Sequence, residues 1–129
     1  QVAAVGFGDR FQAFGGDFFA DELPEGPDLV SLVRVLHDHD DAEALTLLRN
    51  IRRSVSPGTV LLVAEPMAGV RGSSAVGDVY FGFYMLAMGR GRVRTPQEIG
   101  QMLARAGFAK TRSIATNTPV ITQLIAATA

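Results

Sequence analysis

The sequence of 129 residues contains no cysteine and no tryptophan, and it carries no excess of charge of one sign. Without cysteine the chain can form neither a disulfide bond nor a thiolate metal site, which suits a cytoplasmic protein. Its 12 basic and 13 acidic residues leave a formal net charge of −1. Because such a chain has no broad field of one sign to attract polyanions, we expect no nucleic-acid partner.

Long hydrophobic runs are also absent. The two most apolar stretches, Val60–Ala64 and Val79–Met88, fall far short of the roughly 20 residues that span a bilayer. The first residues lack the basic and apolar segments of a secretory signal, and there is no initiator methionine. With 47% hydrophobic residues the chain has enough apolar material for one core. We therefore expect residues 1–129 to form one globular portion of a longer protein.

Short apolar runs that alternate with amphipathic segments indicate an α/β fold with a mainly parallel sheet and an antiparallel strand pair at the C-terminal end. Leu45, Leu48 and Ile51 recur at helical spacing. Thr95-Pro96-Gln97-Glu98 has the pattern of a capping box with proline at the first helical position, and Gly107 closes that helix. The other predicted elements are strands Phe11–Phe14, Asp28–Leu36, Val60–Glu65, Lys110–Thr116 and Val120–Ala126, and helices Ala42–Arg53 and Asp78–Met88.

Three polar residues lie at or just beyond the carboxyl ends of predicted strands. They are Asp17, His37 and Glu65. Ligands in such sheets bind beyond the carboxyl ends of the strands, so these residues mark the expected functional site. A histidine, with an ordinary pKa of about 6.5, is suited to accept a proton at working pH when a partner fixes its other ring nitrogen.

A series of short motifs occurs in a fixed order along nearly the whole chain. The motifs are Gly15-Gly16-Asp17-Phe18-Phe19, Leu23-Pro24, Asp28-Leu29-Val30, Arg34-Val35-Leu36-His37-Asp38, Leu48-Arg49-Asn50-Ile51, Pro57-Gly58, Leu62-Val63-Ala64-Glu65 and Ala104-Arg105-Ala106-Gly107-Phe108. Each is weakly specific alone, but together they resemble the small-molecule O-methyltransferase family, which depends on S-adenosylmethionine. Within that family, His37–Asp41 and Tyr80–Met88 are most similar to the bacterial hydroxycarotenoid enzymes of the demethylspheroidene O-methyltransferase type.

The resemblance implies the C-terminal part of a Rossmann-like class I methyltransferase domain, with the first two strands and the N-terminal dimerisation domain missing. The implied cofactor is S-adenosylmethionine, with S-adenosylhomocysteine as the product. The implied acceptor is a small apolar molecule with a hydroxyl group, such as a hydroxycarotenoid, which would allow peripheral contact with a membrane. We expect a homodimer, and we expect this portion to be inactive by itself.

The resemblance also assigns roles to single residues. His37 would be the general base, oriented by Glu65, which follows it by 28 residues, with Asp38 bordering the same pocket. A further acid that helps to hold the base in plant members is replaced here by Val93. The expected cofactor contacts are Asp17, Phe18 and Arg34, and the expected acceptor-binding residues are Phe81, Tyr84, Met85 and Met88.

Other interpretations stay open. His37 can be a solvated residue at a strand end, Asp17 can cap its own turn, and the aromatic stripe can be a core-facing surface. A metal site within residues 37–41 is disfavoured, because adjacent side chains on a turn point apart. For the whole chain, the competing hypothesis is a non-catalytic dimerisation or binding module derived from a methyltransferase.

Two further motifs are predicted to carry no function. Gly6–Phe11 begins like a dinucleotide-binding loop but lacks the third glycine, which argues against a nucleotide-dependent reductase. Arg90, Arg92 and Arg94 alternate with glycine and valine as in nucleic-acid-binding segments. Because no stacking aromatic residue lies among them, a solvated loop is predicted.

Overall fold

The computed structural model describes residue 4 and residues 6–69, 77–117 and 122–129. Short 3₁₀ turns lie at Gly8–Arg10 and Leu36–Asp38. The strands and helices are β1 (Leu29–Val33), α1 (Asp41–Ser54), β2 (Val60–Glu65), α2 (Gly77–Met88), α3 (Pro96–Ala106), β3 (Ala109–Ile114) and β4 (Gln123–Thr128). The predicted α/β architecture is confirmed, although residues 120 and 121 of the predicted last strand lie outside the described residues.

The four strands form one sheet in the order β1-β2-β4-β3. β1 pairs in parallel with β2, which places Val33 opposite Ala64, whereas β4 runs antiparallel to both β2 and β3. The predicted antiparallel pair is confirmed. Within the described residues, β1, β2 and β3 run in the same direction and β4 alone is reversed, so the predicted mainly parallel sheet is confirmed as well. β4 is reversed because it follows β3 without a crossover helix and then enters the sheet beside β2.

The predicted strand Phe11–Phe14 is wrong. These residues pair with none of the strands that the structure describes, and Phe11 and Phe14 are 57% and 63% exposed. Alternation over four residues describes an extended backbone, but a strand also needs a neighbour that supplies hydrogen bonds. In the described sheet β1 stays an edge strand.

α1 and α3 pack against each other and cover one face of the sheet. In the ladder between β2 and β4, Leu61 lies opposite Ala127 and Val63 opposite Ile125, and all four side chains join the core. The helices add Ala44, Leu45, Leu47, Leu48 and Ile51 from α1, and Ile99, Met102, Leu103 and Ala106 from α3. This core fixes the carboxyl ends of β1 and β2 relative to one another.

Both predicted ends of α3 are confirmed. Thr95 Oγ1 accepts a hydrogen bond from Glu98 N at 3.2 Å, and Glu98 Oε2 accepts one from Thr95 N at 2.8 Å. Gly107 ends the helix with a φ of 95°, a conformation that glycine adopts without strain. Across the described residues, no helix combines the length and apolar character that a membrane crossing requires.

Candidate active site

His37 and Glu65 meet at the carboxyl end of the parallel strand pair. β1 ends at Val33, earlier than the predicted Leu36, and the 3₁₀ turn that follows carries His37. Glu65 is the last residue of β2. Because parallel strands end at the same edge of a sheet, the fold brings these two side chains together.

Glu65 holds both the His37 ring and the turn beneath it. Glu65 is 1% exposed and His37 is 4% exposed. Oε1 of Glu65 accepts hydrogen bonds from Val35 N and Leu36 N, each at 2.8 Å, and Oε2 lies 2.5 Å from His37 Nδ1. Since a carboxylate only accepts hydrogen bonds, Nδ1 carries the proton of the neutral ring. The free lone pair is therefore on Nε2, the atom that can accept a proton.

Asp38 lies next to that nitrogen. Its Oδ1 is 3.3 Å from His37 Nε2. The same oxygen is buried and, among the described residues, lacks a hydrogen-bond partner. While His37 is neutral, its Nε2 and the Asp38 Oδ1 are therefore two hydrogen-bond acceptors that face one another. A proton on Nε2 would convert this contact into a charge-assisted hydrogen bond.

The aromatic residues of α2 border the same ring. The Phe81 and Tyr84 ring centroids lie 6.2 and 6.3 Å from that of His37. Phe81 is buried and Tyr84 is 39% exposed. Met85 is buried one turn after Phe81, whereas Met88 is 46% exposed at the end of the helix. Of the four predicted acceptor-binding residues, the structure places the two aromatic ones against His37.

Arg34 connects β1 to the site. It adopts a left-handed backbone with a φ of 56°, which is uncommon for a residue with a Cβ atom and ends the strand. Its backbone N still donates to Ala64 O at 2.9 Å. The guanidinium carbon lies 5.4 Å from the Phe81 ring centroid, within cation–π range. Arg34 therefore lies at the His37 pocket.

Asp17 begins a turn that its own carboxylate stabilises. Its Oδ1 accepts a hydrogen bond from Phe19 N at 2.9 Å, and Asp21 Oδ2 accepts one from Asp17 N at 2.7 Å. The structure thus shows the alternative in which Asp17 caps its own turn, and the Asp17 side chain is exposed. The neighbouring Phe18 ring is 40% exposed. The turn presents an acidic and an aromatic side chain side by side.

His39 contacts a different set of residues from His37. Its ring stands edge-on to Phe18 and Phe19, at centroid distances of 5.8 and 5.0 Å, and Nδ1 lies 3.4 Å from Glu43 Oε2. In the part of the chain that the structure describes, no group of three or more histidine, aspartate or glutamate side chains could hold a metal ion.

Sequence reasoning missed Asn50, which anchors the Asp17 turn to α1. Asn50 is 4% exposed, and its Nδ2 donates to Phe18 O and Asp21 O, both at 2.9 Å. The sequence did contain a signal for this role, because Asn50 lies on the apolar stripe of a predicted helix. Buried amide side chains are normally hydrogen-bonded, so a partner for Asn50 could have been predicted.

The prediction of a solvated arginine loop is wrong for Arg94. This residue is 2% exposed, and its guanidinium donates to Leu36 O, His39 O and the Asp41 carboxylate. Arg92 is partly exposed and pairs with Asp41 and Glu98, and Arg90 is exposed. The spacing of the arginines could not reveal this, because an acceptor such as Leu36 O lies 58 residues away in the sequence.

Acid should weaken the ion pairs around this loop. The hydrogen bond from Arg92, and then that from Arg94, lowers the pKa of Asp41, while the hydrogen bond from Thr95 N and that from Arg92 lower the pKa of Glu98. A carboxylate with a lower pKa in the folded state stabilises the protein above its unfolded pKa. That contribution is lost as the pH falls through the folded pKa. We therefore expect the free energy of unfolding to decrease below about pH 4.

Urea denaturation at constant ionic strength, from about pH 5 to pH 2.5, measures this dependence. The Asp41→Asn, Glu98→Gln double variant should lose stability less steeply with acid than the wild type. The difference should be modest, since the Asp41 side chain is 58% exposed and water screens its charge. Parallel curves for the two proteins would contradict the assignment.

The chain is similar to known methyltransferases over most of its length. A family model described as an O-methyltransferase domain matches residues 2–109. Demethylspheroidene O-methyltransferase of Rhodobacter capsulatus is 42% identical over 121 residues, which make up 94% of this chain and 31% of that enzyme. The chain thus spans about a third of the length of this curated relative.

Solved structures share the fold. Human N-acetylserotonin methyltransferase in complex with SAM matches with a TM-score of 0.71 and 35% identity, over 88% of this chain and 32% of that one. PigF with SAH matches with a TM-score of 0.83 and 27% identity, over 98% of this chain and 38% of that one. These likenesses confirm the predicted fold class, a portion of a class I methyltransferase domain. Because the family model covers most of the sequence, the chain belongs to the O-methyltransferase domain family, as its motifs predicted.

Proposed function

We propose that the intact protein carrying this chain transfers a methyl group from S-adenosylmethionine to a hydroxyl group of an apolar small molecule. The observation that carries this proposal is the buried pair of His37 and Glu65, in which the His37 ring lies beside Phe81 and Tyr84. A proton acceptor next to an aromatic surface suits an apolar acceptor with one hydroxyl group. Similarity to demethylspheroidene O-methyltransferase supports a hydroxycarotenoid as that acceptor.

Asp17, Phe18 and Arg34 are the residues that would hold the cofactor. Asp17 and Phe18 fit the group, since an exposed carboxylate can accept hydrogen bonds from an adenine amino group and the adjacent Phe18 ring can pack on the base. When bound, S-adenosylmethionine supplies an electrophilic methyl group on a positively charged sulfur. The solved relatives with SAM and SAH support this choice of cofactor.

His37 would accept the hydroxyl proton at Nε2. Glu65 keeps the opposite nitrogen protonated and lies 2.5 Å from it, so it stabilises the positive charge that the ring gains. Asp38 Oδ1, 3.3 Å from Nε2, accepts a hydrogen bond from the newly protonated nitrogen. General-base assistance of this kind contributes about 10²–10⁴-fold to a rate.

We propose that the active protein is a cytoplasmic homodimer that meets a lipid-like acceptor at a membrane surface, and that this chain is inactive by itself. Two observations support the proposal that activity requires more protein than this chain supplies. The chain spans 31% of the demethylspheroidene O-methyltransferase that it resembles. In addition, Leu29 and Val33 on the edge strand β1 are 54% and 59% exposed.

Titration of S-adenosylhomocysteine into the intact protein, followed by turnover, tests the proposal. Labelled S-adenosylmethionine is incubated with a hydroxycarotenoid and, as a matched control, with the same carotenoid lacking its hydroxyl group. Binding together with methylation of the hydroxylated molecule alone would support the function. Binding without methylation of any hydroxylated acceptor would favour the non-catalytic module, and absence of binding would contradict both the cofactor and the enzyme.

A further inference from the structure

Arg94 is a buried cation whose hydrogen bonds surround the His37 turn. Its Nη1 donates to Leu36 O and its Nη2 to His39 O, both at 2.7 Å. Its Nε donates to Asp41 Oδ1 at 2.9 Å. The acceptors therefore lie on both sides of His37 in the sequence, and the planar guanidinium reaches them simultaneously.

The segment around Arg94 is fixed to both halves of the candidate site. Ala68 N donates to Arg94 O at 3.0 Å, which ties the segment to the chain just beyond Glu65. On the other side, Gly91 lies so close to His37 O and the backbone of Asp38 that a Cβ atom there would overlap them, and its φ is 80°. The loop therefore packs directly on the backbone of the His37 turn.

Two opposed sets of hydrogen bonds consequently hold one turn. Glu65 accepts from Leu36 N, and Arg94 donates to Leu36 O. Glu65 holds the Nδ1 side of the ring and the amide groups of Val35 and Leu36, but it leaves the carbonyl groups of the turn without a partner of their own. With its carbonyl groups also bound, the direction of His37 Nε2 is set from both sides.

We infer that Arg94 is a positioning residue for His37, which it serves through the backbone of residues 36–39 and without contact with the substrate. The inference rests on the proposed function of His37 as general base. A displacement of about 1 Å in a reacting group can lower a rate about 10²-fold. Loss of the guanidinium should therefore reduce turnover more than it reduces binding.

The test compares Arg94→Lys with Arg90→Lys in the intact protein. Lysine keeps the charge of Arg94 but cannot reach three acceptors in a plane. We expect Arg94→Lys to lower kcat about 10–100-fold, with the KM for the acceptor and the Kd for S-adenosylhomocysteine within about twofold of wild type. Arg90 is exposed on the same loop, so Arg90→Lys should keep the wild-type kcat. A folded Arg94→Lys protein with wild-type kcat, or an equal loss in both variants, would overturn the inference.

Hydrogen exchange gives a readout that does not depend on activity. Amides of residues 34–39 should exchange at least about tenfold faster in Arg94→Lys than in wild type, while β4 amides stay unchanged. Unchanged exchange in the turn of Arg94→Lys would overturn the inference, even if methyl transfer were never detected. If the wild-type protein proves inactive but the turn still exchanges faster in Arg94→Lys, only the proposed function is contradicted. If Arg94→Lys does not fold, Asp41→Asn removes the charged partner of Arg94 from a half-exposed position and should give a smaller change in the same direction.

Discussion

Replacing His37 with glutamine in the intact protein is expected to lower kcat for methyl transfer by about 10²–10⁴-fold. Glutamine has no group that accepts a proton near neutral pH, whereas the His37 ring, which lies beside the α2 aromatic residues, has a free lone pair on Nε2. Binding of S-adenosylhomocysteine should change little, because the proposed adenine contacts lie in the separate Asp17 turn. A single-turnover assay with labelled cofactor and calorimetric titration measure the two quantities.

His39→Gln is the matched control for this experiment. It is the same substitution two residues later, at a ring that faces Phe18, Phe19 and Glu43 and not the α2 residues. It should retain most of the wild-type kcat. Full kcat in the His37 variant would remove this residue from the mechanism.

The parts of the structure that the sequence predicted are those that depend on local or strictly periodic signals. α3 begins at a capping box and ends at Gly107, and both are determined by residues within one turn. His37 and Glu65 were expected to meet because both lie at the carboxyl ends of buried strands, and parallel strands end at one edge. The caps of α3 depend on residues within one helical turn, and the position of His37 and Glu65 depends only on the common direction of two strands.

The parts that were missed depend on distant partners. Arg94 resembled the exposed arginines beside it, yet a guanidinium becomes buried only where several acceptors meet, and Leu36, His39 and Asp41 supply them from another segment. The predicted strand Phe11–Phe14 is absent because, among the described residues, no neighbouring strand pairs with this alternating segment.

Replacing Glu65 with glutamine should lower kcat about 10²–10⁴-fold, although the side chain keeps its size. If the glutamine oxygen still accepts from Val35 N and Leu36 N, its amide group faces His37 Nδ1 and donates to it. The ring must then carry its proton on Nε2, so it cannot take one from the acceptor. If the amide is reversed, the two backbone donors lose their acceptor instead.

Nitrogen NMR of the His37 ring, recorded alongside the kinetics, separates these outcomes. Wild type should show a protonated Nδ1, and Glu65→Gln a protonated Nε2. Glu43→Gln is the matched control, since it makes the same change next to the other histidine, 3.4 Å from His39 Nδ1, and should leave kcat near wild type. A Glu65→Gln protein that kept both the wild-type tautomer and the wild-type kcat would show that the Glu65 charge is dispensable. Loss of kcat together with the changed tautomer would tie catalysis to the nitrogen that Glu65 leaves free.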